Sequence, residues 1–317
     1  MFQSGNPAPK SILEIDQELH GPDELKNHIM ETCMSYKDIL LALSIYPDPT
    51  PNYIIEQAAS IARGLSAKLT ALVPSIDRAS FAAAYPRRRW PVDPSQIIDT
   101  AIAEANRASK QLLDQLTVQT KANGISSETV FEPSGTYPEA ETIVQHARVH
   151  DLALLPVPEL IGLDELFHEA VIFGSGRPVI LLPAKAGGPS TSGAIDDVIV
   201  LWDFSRAAAR AIADAMPILE KARNVRVVTF LNEKRFDRTV KFDNLQKHLE
   251  IHAVNASFSA IDISGRPIGD AIRKCISAPT NLLVMGAFGH SRMLEFILGG
   301  ATRSALNDPP IPVFMSH

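Results

Sequence analysis

Apolar positions along the chain follow two alternating patterns. Nearly continuous apolar runs bounded by turn residues predict strands, and stretches with an apolar position every three or four residues predict helices. In the first part of the chain the strand runs are 38–44 (DILLALS), 68–75 (KLTALVPS), 126–133 (SSETVFEP), 152–157 (LALLPV) and 177–183 (RPVILLP). Helical patterns at 52–66, 94–124, 137–150 and 163–173 separate them. The second part repeats this order, with strands at 197–202, 225–231, 256–263, 281–287 and 311–316. Its helices are expected at 205–222, 244–253, 268–277 and from Gly299 to Asn307. Ser205 stands where the N-cap of the first of these would fall.

Strands alternating with helices imply parallel sheets covered on both faces. The expected fold class is therefore α/β, with two tandem doubly wound domains, each a mainly parallel five-stranded sheet with helices on both faces. The predicted organisation is a poorly ordered extension over 1–33, a first domain over 34–183, a linker over 184–196 and a second domain over 197–317. The linker, AKAGGPSTSGAID, is rich in Gly, Ser and Pro. The extension is polar and broken by prolines, without the apolar core of a secretory signal. Met34 directly precedes the first strand and is the expected natural start.

Composition narrows this picture only slightly. A chain of 317 residues fits two domains of about 150 residues each. With 45% hydrophobic and 21% charged residues and a net charge of −6, it carries no general attraction for nucleic acid or anionic membranes. No run approaches the roughly 20 apolar residues that cross a bilayer. Cys33 and Cys275 lie far apart and form no C-x-x-C pair, which fits a reduced, cytoplasmic compartment.

Candidate chemistry concentrates in MGAFGHSRMLEFILGGATRS, 285–304. Gly286, Gly289, Gly299 and Gly300 form G-x2-G-x9-G-G, which is neither a Walker A loop nor the Rossmann fingerprint. The physical logic is nevertheless the same. Glycines allow backbone N–H groups to approach a phosphate, and a following helix N-terminus favours negative charge. Thr302 adds a hydroxyl in the first turn of the expected helix. The bland alternative is that these glycines only shape a strand-to-helix turn.

This segment resembles the universal stress protein family, whose ATP-binding members carry G-x2-G-x9-G-[ST] between the fourth strand and the fourth helix. The resemblance covers both repeats, roughly 34–317, and implies a tandem member acting in stress responses. It further implies an Asp at the end of the first strand on the nucleoside, matched by Asp203. Backbone near the end of the second strand would meet the adenine, approximately at Phe230. Met285, Gly286, Gly289, Gly299, Gly300 and Thr302 would hold the phosphates. The implied ligand is ATP or a related adenine nucleotide, with or without Mg. One departure stands out: the [ST] after the third glycine is Gly300, which removes a hydroxyl donor and keeps the backbone N–H.

The same positions in the first repeat are altered. Ser44 falls opposite Asp203, Pro156 opposite Gly286 and Glu159 opposite Gly289. The third glycine falls on Glu169 counted forward or on Glu165 counted back. Proline lacks an N–H, and a carboxylate repels a phosphate. The first domain is therefore expected to be a structural or regulatory partner that binds no nucleotide in this manner.

Remaining features carry bland readings. YPRRRWP, 85–91, reads as a solvated loop. His146/His150 and His248/His252 have i, i+4 spacing but no visible third metal ligand. His290 reads as a turn residue. FGSG, 173–176, is not a nucleophile elbow, and no catalytic constellation stands out. The expectation is a nucleotide-binding protein and not an efficient enzyme. A scaffold that binds no nucleotide and a slow ATPase are the alternatives. The resemblance further implies that the domains pair through their last strands, here RPVILLP and IPVFMS within one chain, with a homodimer left open.

Overall fold

The computed structural model describes residues 35–45, 49–76, 95–134, 140–157, 165–183, 195–231, 241–276, 280–287 and 309–317. Of these, Tyr36 to His317 belong to one compact unit. The expected extension over 1–33, YPRRRWP, most of the expected linker and the expected helix from Gly299 lie outside the described residues.

The first half runs β1 (Asp38–Ala42), α1 (Asn52–Leu65), β2 (Lys68–Ile76), α2 (Ser95–Asn123), β3 (Ser127–Ser134), α3 (Ala140–Arg148), β4 (Leu152–Val157), α4 (Glu165–Gly174) and β5 (Val179–Pro183). The second runs β6 (Asp197–Leu201), α5 (Arg206–Leu219), β7 (Asn224–Leu231), α6 (Asp243–Ile251), β8 (Ala256–Asp262), α7 (Ile268–Cys275), β9 (Leu282–Gly286) and β10 (Val313–Ser316). The elements follow the apolar pattern of the sequence to within a few residues.

All these strands join one sheet of order β3-β2-β1-β4-β5-β10-β9-β6-β7-β8. Every pairing within a half is parallel. The seam is antiparallel, between β5 and β10, with Val313 opposite Leu181, Phe314 opposite Ile180 and Met315 opposite Val179. The expected pairing of the last strands thus forms inside one chain.

Strand register aligns the two halves residue by residue. Asp38 pairs with Lys68 as Asp197 pairs with Asn224, and Ile39 pairs with Leu152 as Val198 pairs with Leu282. Position 38 therefore matches 197, and 152 matches 282. Side chains at the strand starts repeat too. The Asp151 carboxylate accepts the Lys37 and Asp38 backbone N–H groups at 2.8 and 3.0 Å. The Asn281 side-chain oxygen accepts those of Asp196 and Asp197 at 3.2 and 2.9 Å. Under this alignment Ile180 matches Phe314, so a pseudo-twofold axis passes through that pair at the seam.

Because successive side chains alternate across a strand, the sheet buries two cores. One face packs Ile39, Leu41, Val198, Val200 and Phe314 against α1, α2 and α5. The other packs Leu40, Leu155, Ile199, Met285 and Met315 against α3, α4 and α7. Both cores run across the seam, which is why the two halves share one unit.

Candidate functional site

Strand order reverses in the second half between β6 and β9. From β6 the chain continues outward through β7 and β8, then returns to lay β9 on the other side of β6. Ligands of open parallel sheets bind at the carboxyl ends of strands at such a reversal. Asp203 and Gly286 both lie there.

Asp203 sits in the turn 202–205 that joins β6 to α5. Its carboxylate accepts the Ser205 N–H at 3.0 Å. Ser205 then caps the helix as its sequence position predicts, its hydroxyl accepting the Ala208 N–H at 3.0 Å and its carbonyl the Ala209 N–H at 3.1 Å. Phe204, between them, has φ 62°, a left-handed conformation unusual for an aromatic residue. Its half-exposed ring lies 5.5 Å from that of Trp202 and stacks on Phe242 at 6.5 Å. The Thr229 hydroxyl donates to the Trp202 carbonyl at 2.6 Å and ties this turn to β7.

Gly286 ends β9 directly under the first turn of α5. A Cβ there would lie 2.5 Å from the carbonyl carbon of Ala207 and 2.5 Å from the backbone nitrogen of Ala208. Any other residue would collide with backbone. The first glycine of the motif therefore has a packing role of its own, which brings the Asp203 turn and the end of β9 together. Next in the chain, the Ala287 N–H donates to the Ser316 carbonyl at 2.8 Å.

Phe230 and Met285 are buried, so their side chains belong to the core beneath the site. Val228 presents its carbonyl to β6, where Trp202 donates to it at 2.9 Å. By alternation Phe230 turns its backbone the same way, past the end of β6. Its backbone, and not its ring, faces the switch point. Gly289, His290, Gly299, Gly300 and Thr302 lie outside the described residues.

The first half closes this position differently. Leu43 donates to the Leu72 carbonyl at 3.0 Å where Trp202 donates to Val228, so Ser44 does occupy the Asp203 position. Ser44 N–H donates to Thr50 Oγ1 at 2.8 Å and Thr50 N–H to the Ser44 carbonyl at 2.9 Å, folding the connection onto itself. Pro156 matches Gly286 by register, and its carbonyl oxygen lies 2.9 Å from Nε2 of His168, a buried residue of α4. Glu165 and Glu169 both lie on α4, while Glu159 is outside the described residues.

Both histidine pairs make local contacts. His146 meets Glu132 at 2.9 Å, and Nδ1 of His150 lies 2.7 Å from the His146 carbonyl. The rings of His248 and His252 are 5.0 Å apart, with His252 on Glu220 at 3.0 Å. Among the described residues no group of three or more His, Cys, Asp or Glu side chains is arranged to hold a metal ion, and no helix is long and apolar enough to cross a membrane.

No family model matches the chain, and no curated protein matches it in sequence. Solved structures do match its fold. A universal stress protein from Archaeoglobus fulgidus DSM 4304 aligns over 89% of this chain and 97% of its own, with 18% identity and a TM-score of 0.63. A protein of unknown function from Pseudomonas aeruginosa PAO1 aligns over 90% of this chain and 94% of its own, with 14% identity and a TM-score of 0.55. A universal stress protein from Archaeoglobus fulgidus in complex with dAMP aligns over 47% of this chain and 98% of its own, with 15% identity and a TM-score of 0.30. The chain has the universal stress protein fold, with two halves in tandem.

Proposed function

We infer that the second half, 197–317, binds an adenine nucleotide, ATP with or without magnesium. On this reading 34–183 is a degenerate partner domain joined through 184–196, and the protein acts by binding and signalling in a cytoplasmic stress response. One observation carries the inference: Gly286 abuts the first turn of α5 beside Asp203, at the point where strand order reverses.

Several features of the site support it. A carboxylate at Asp203 suits the hydroxyls of a ribose, and the Phe230 backbone suits the edge of a base. Ser205 already takes up the Ala208 and Ala209 N–H groups of α5. Phosphates would therefore fall to Gly289, Gly299, Gly300 and Thr302, where glycine backbone can come close. Here the missing hydroxyl at Gly300 leaves the donors mostly to the backbone.

Calorimetric titration of the full chain with ATP tests this reading. Wild type should bind, and Gly289→Glu, which copies Glu159 of the first half, should weaken binding more than tenfold by setting a carboxylate against a phosphate. Absence of binding by wild type would favour a scaffold. Release of ADP in the cell would mark a slow ATPase.

A further inference from the structure

Helix α4 of the first half touches the equivalent mouths of both halves. On its inner face His168, 1% exposed, bonds the Pro156 carbonyl through Nε2. Near its other end Phe173 meets the ring of His317 edge-on, with centroids 4.9 Å apart and planes at 81°. Nδ1 of His317 lies 3.1 Å from the Ala287 carbonyl oxygen, an acceptor, so Nδ1 carries the hydrogen. Ala287 is thus held at both ends of its backbone: its N–H by Ser316 and its carbonyl by His317. Directly beyond it in sequence lies the segment with Gly289, Gly299 and Gly300.

Among the described residues the first half shows no reciprocal device. Register matches Ser316 with Leu182, so Pro183 stands at the His317 position and Val157 at that of Ala287. The Pro183 ring carries no donor. Among the described residues the tether therefore runs one way, from α4 of the first half to Ala287 of the second.

We propose that Phe173 and His317 are positioning residues that fix Ala287, so that the first half, through α4, sets the affinity of the second half for its nucleotide. The effect on affinity rests on the nucleotide-binding reading above; the tether itself does not. Its physical basis is preorganisation. Ordering a peptide against a ligand costs backbone entropy, and a peptide already held at its N–H and its carbonyl, as Ala287 is, leaves less to lose. The donor is preorganised as well, because packing against Phe173 holds the imidazole in place.

The test uses the full chain, with ATP as the probe and His317→Ala, Phe173→Ala, the double variant and His317→Asn. Asparagine keeps an N–H donor at similar reach. Each alanine variant should weaken ATP about fivefold, the loss of roughly one hydrogen bond. The double variant should be no more than about twofold worse than either, because both act through one contact. His317→Asn should recover most of the affinity. Without nucleotide, NMR-monitored exchange of the Ala287 amide should speed up about fivefold in the alanine variants, while that of Leu69 in β2 stays unchanged. Unchanged exchange at Ala287, an equal rise at Leu69, or fully additive losses of affinity would overturn the proposal. If wild type binds no ATP yet Ala287 responds as expected, the nucleotide reading fails and the tether stands.

Discussion

Two halves of the same chain carry the same frame and different mouths. At the starts of the strands Asp151 and Asn281 bracket the backbone of β1 and β6 in the same way, with the same pair of N–H donors. At the other ends the repeat breaks. The second half has a short turn with Asp203, and a helix seated on Gly286. The first has a longer connection closed by Ser44 and Thr50, and a proline whose carbonyl is taken by His168. Frame residues answer to pairing and burial, which both halves need equally. Mouth residues are less bound by strand pairing and can diverge, although Gly286 also answers to the packing of α5.

The comparison can be broken most strongly at the seam. Phe314 is fully buried opposite Ile180, where the pseudo-twofold axis crosses. Phe314→Ala should cost about 4 kcal/mol in urea unfolding, and separate transitions for the two halves would show that the seam supplies their cooperativity. Next in size is Gly286→Ala, whose Cβ meets the α5 backbone at 2.5 Å. It should cost about 3 kcal/mol, whereas Pro156→Ala, at the matching position with a Cβ already present, should cost under about 1 kcal/mol.

Asp203→Ser sharpens the comparison by giving the second half the residue of the first. It should weaken ATP about thirtyfold, near the 2 kcal/mol typical of hydrogen bonds to a charged group. The reverse exchange, Ser44→Asp, should create no binding, because Pro156 and the acids that follow remain. Calorimetry with both variants distinguishes a site set by one residue from one set by the whole mouth.

The smallest expected effect lies at Tyr36, which links the halves by donating its hydroxyl to the Asp214 carbonyl of α5. Burial first, then the charges of Asp214 and Asp151, hold this phenol well above its ordinary value of 10.0. The folded chain thus keeps the proton to higher pH than the unfolded chain. The associated stability is complete below about pH 10 and falls above it by up to about 1.4 kcal/mol per pH unit. Tyr36→Phe should cost about 1 kcal/mol at neutral pH and flatten that alkaline decline in thermal melts.

Much of this molecule is legible in the sequence. Element order followed from apolar periodicity, because burial on one face leaves a local signature in spacing. Ser205 was readable as a cap because capping involves neighbours three residues away. Laying one repeat on the other matched Asp203 with Ser44 and Gly286 with Pro156, and strand register agrees with both. Phe230 was harder: a position near a strand end could be found, but whether ring or backbone faces the ligand depends on alternation counted from a hydrogen bond, here Trp202 to Val228.

What the sequence by itself determined, then, is the pair of α/β repeats, their boundaries in the apolar pattern, and the asymmetry between a segment rich in glycine after the fourth strand of one repeat and one with proline and acids in the other. Only the tertiary structure decided that Gly286 is required by the backbone of α5, that Ile180 and Phe314 meet at the axis, and that Phe173 of one half steadies Ala287 of the other through His317. The reason is the range of the interactions. Periodicity, caps and turns act within a few residues and are written in any short window. Contacts made across a crossover or a seam depend on where whole elements come to rest, and no window of sequence contains both partners.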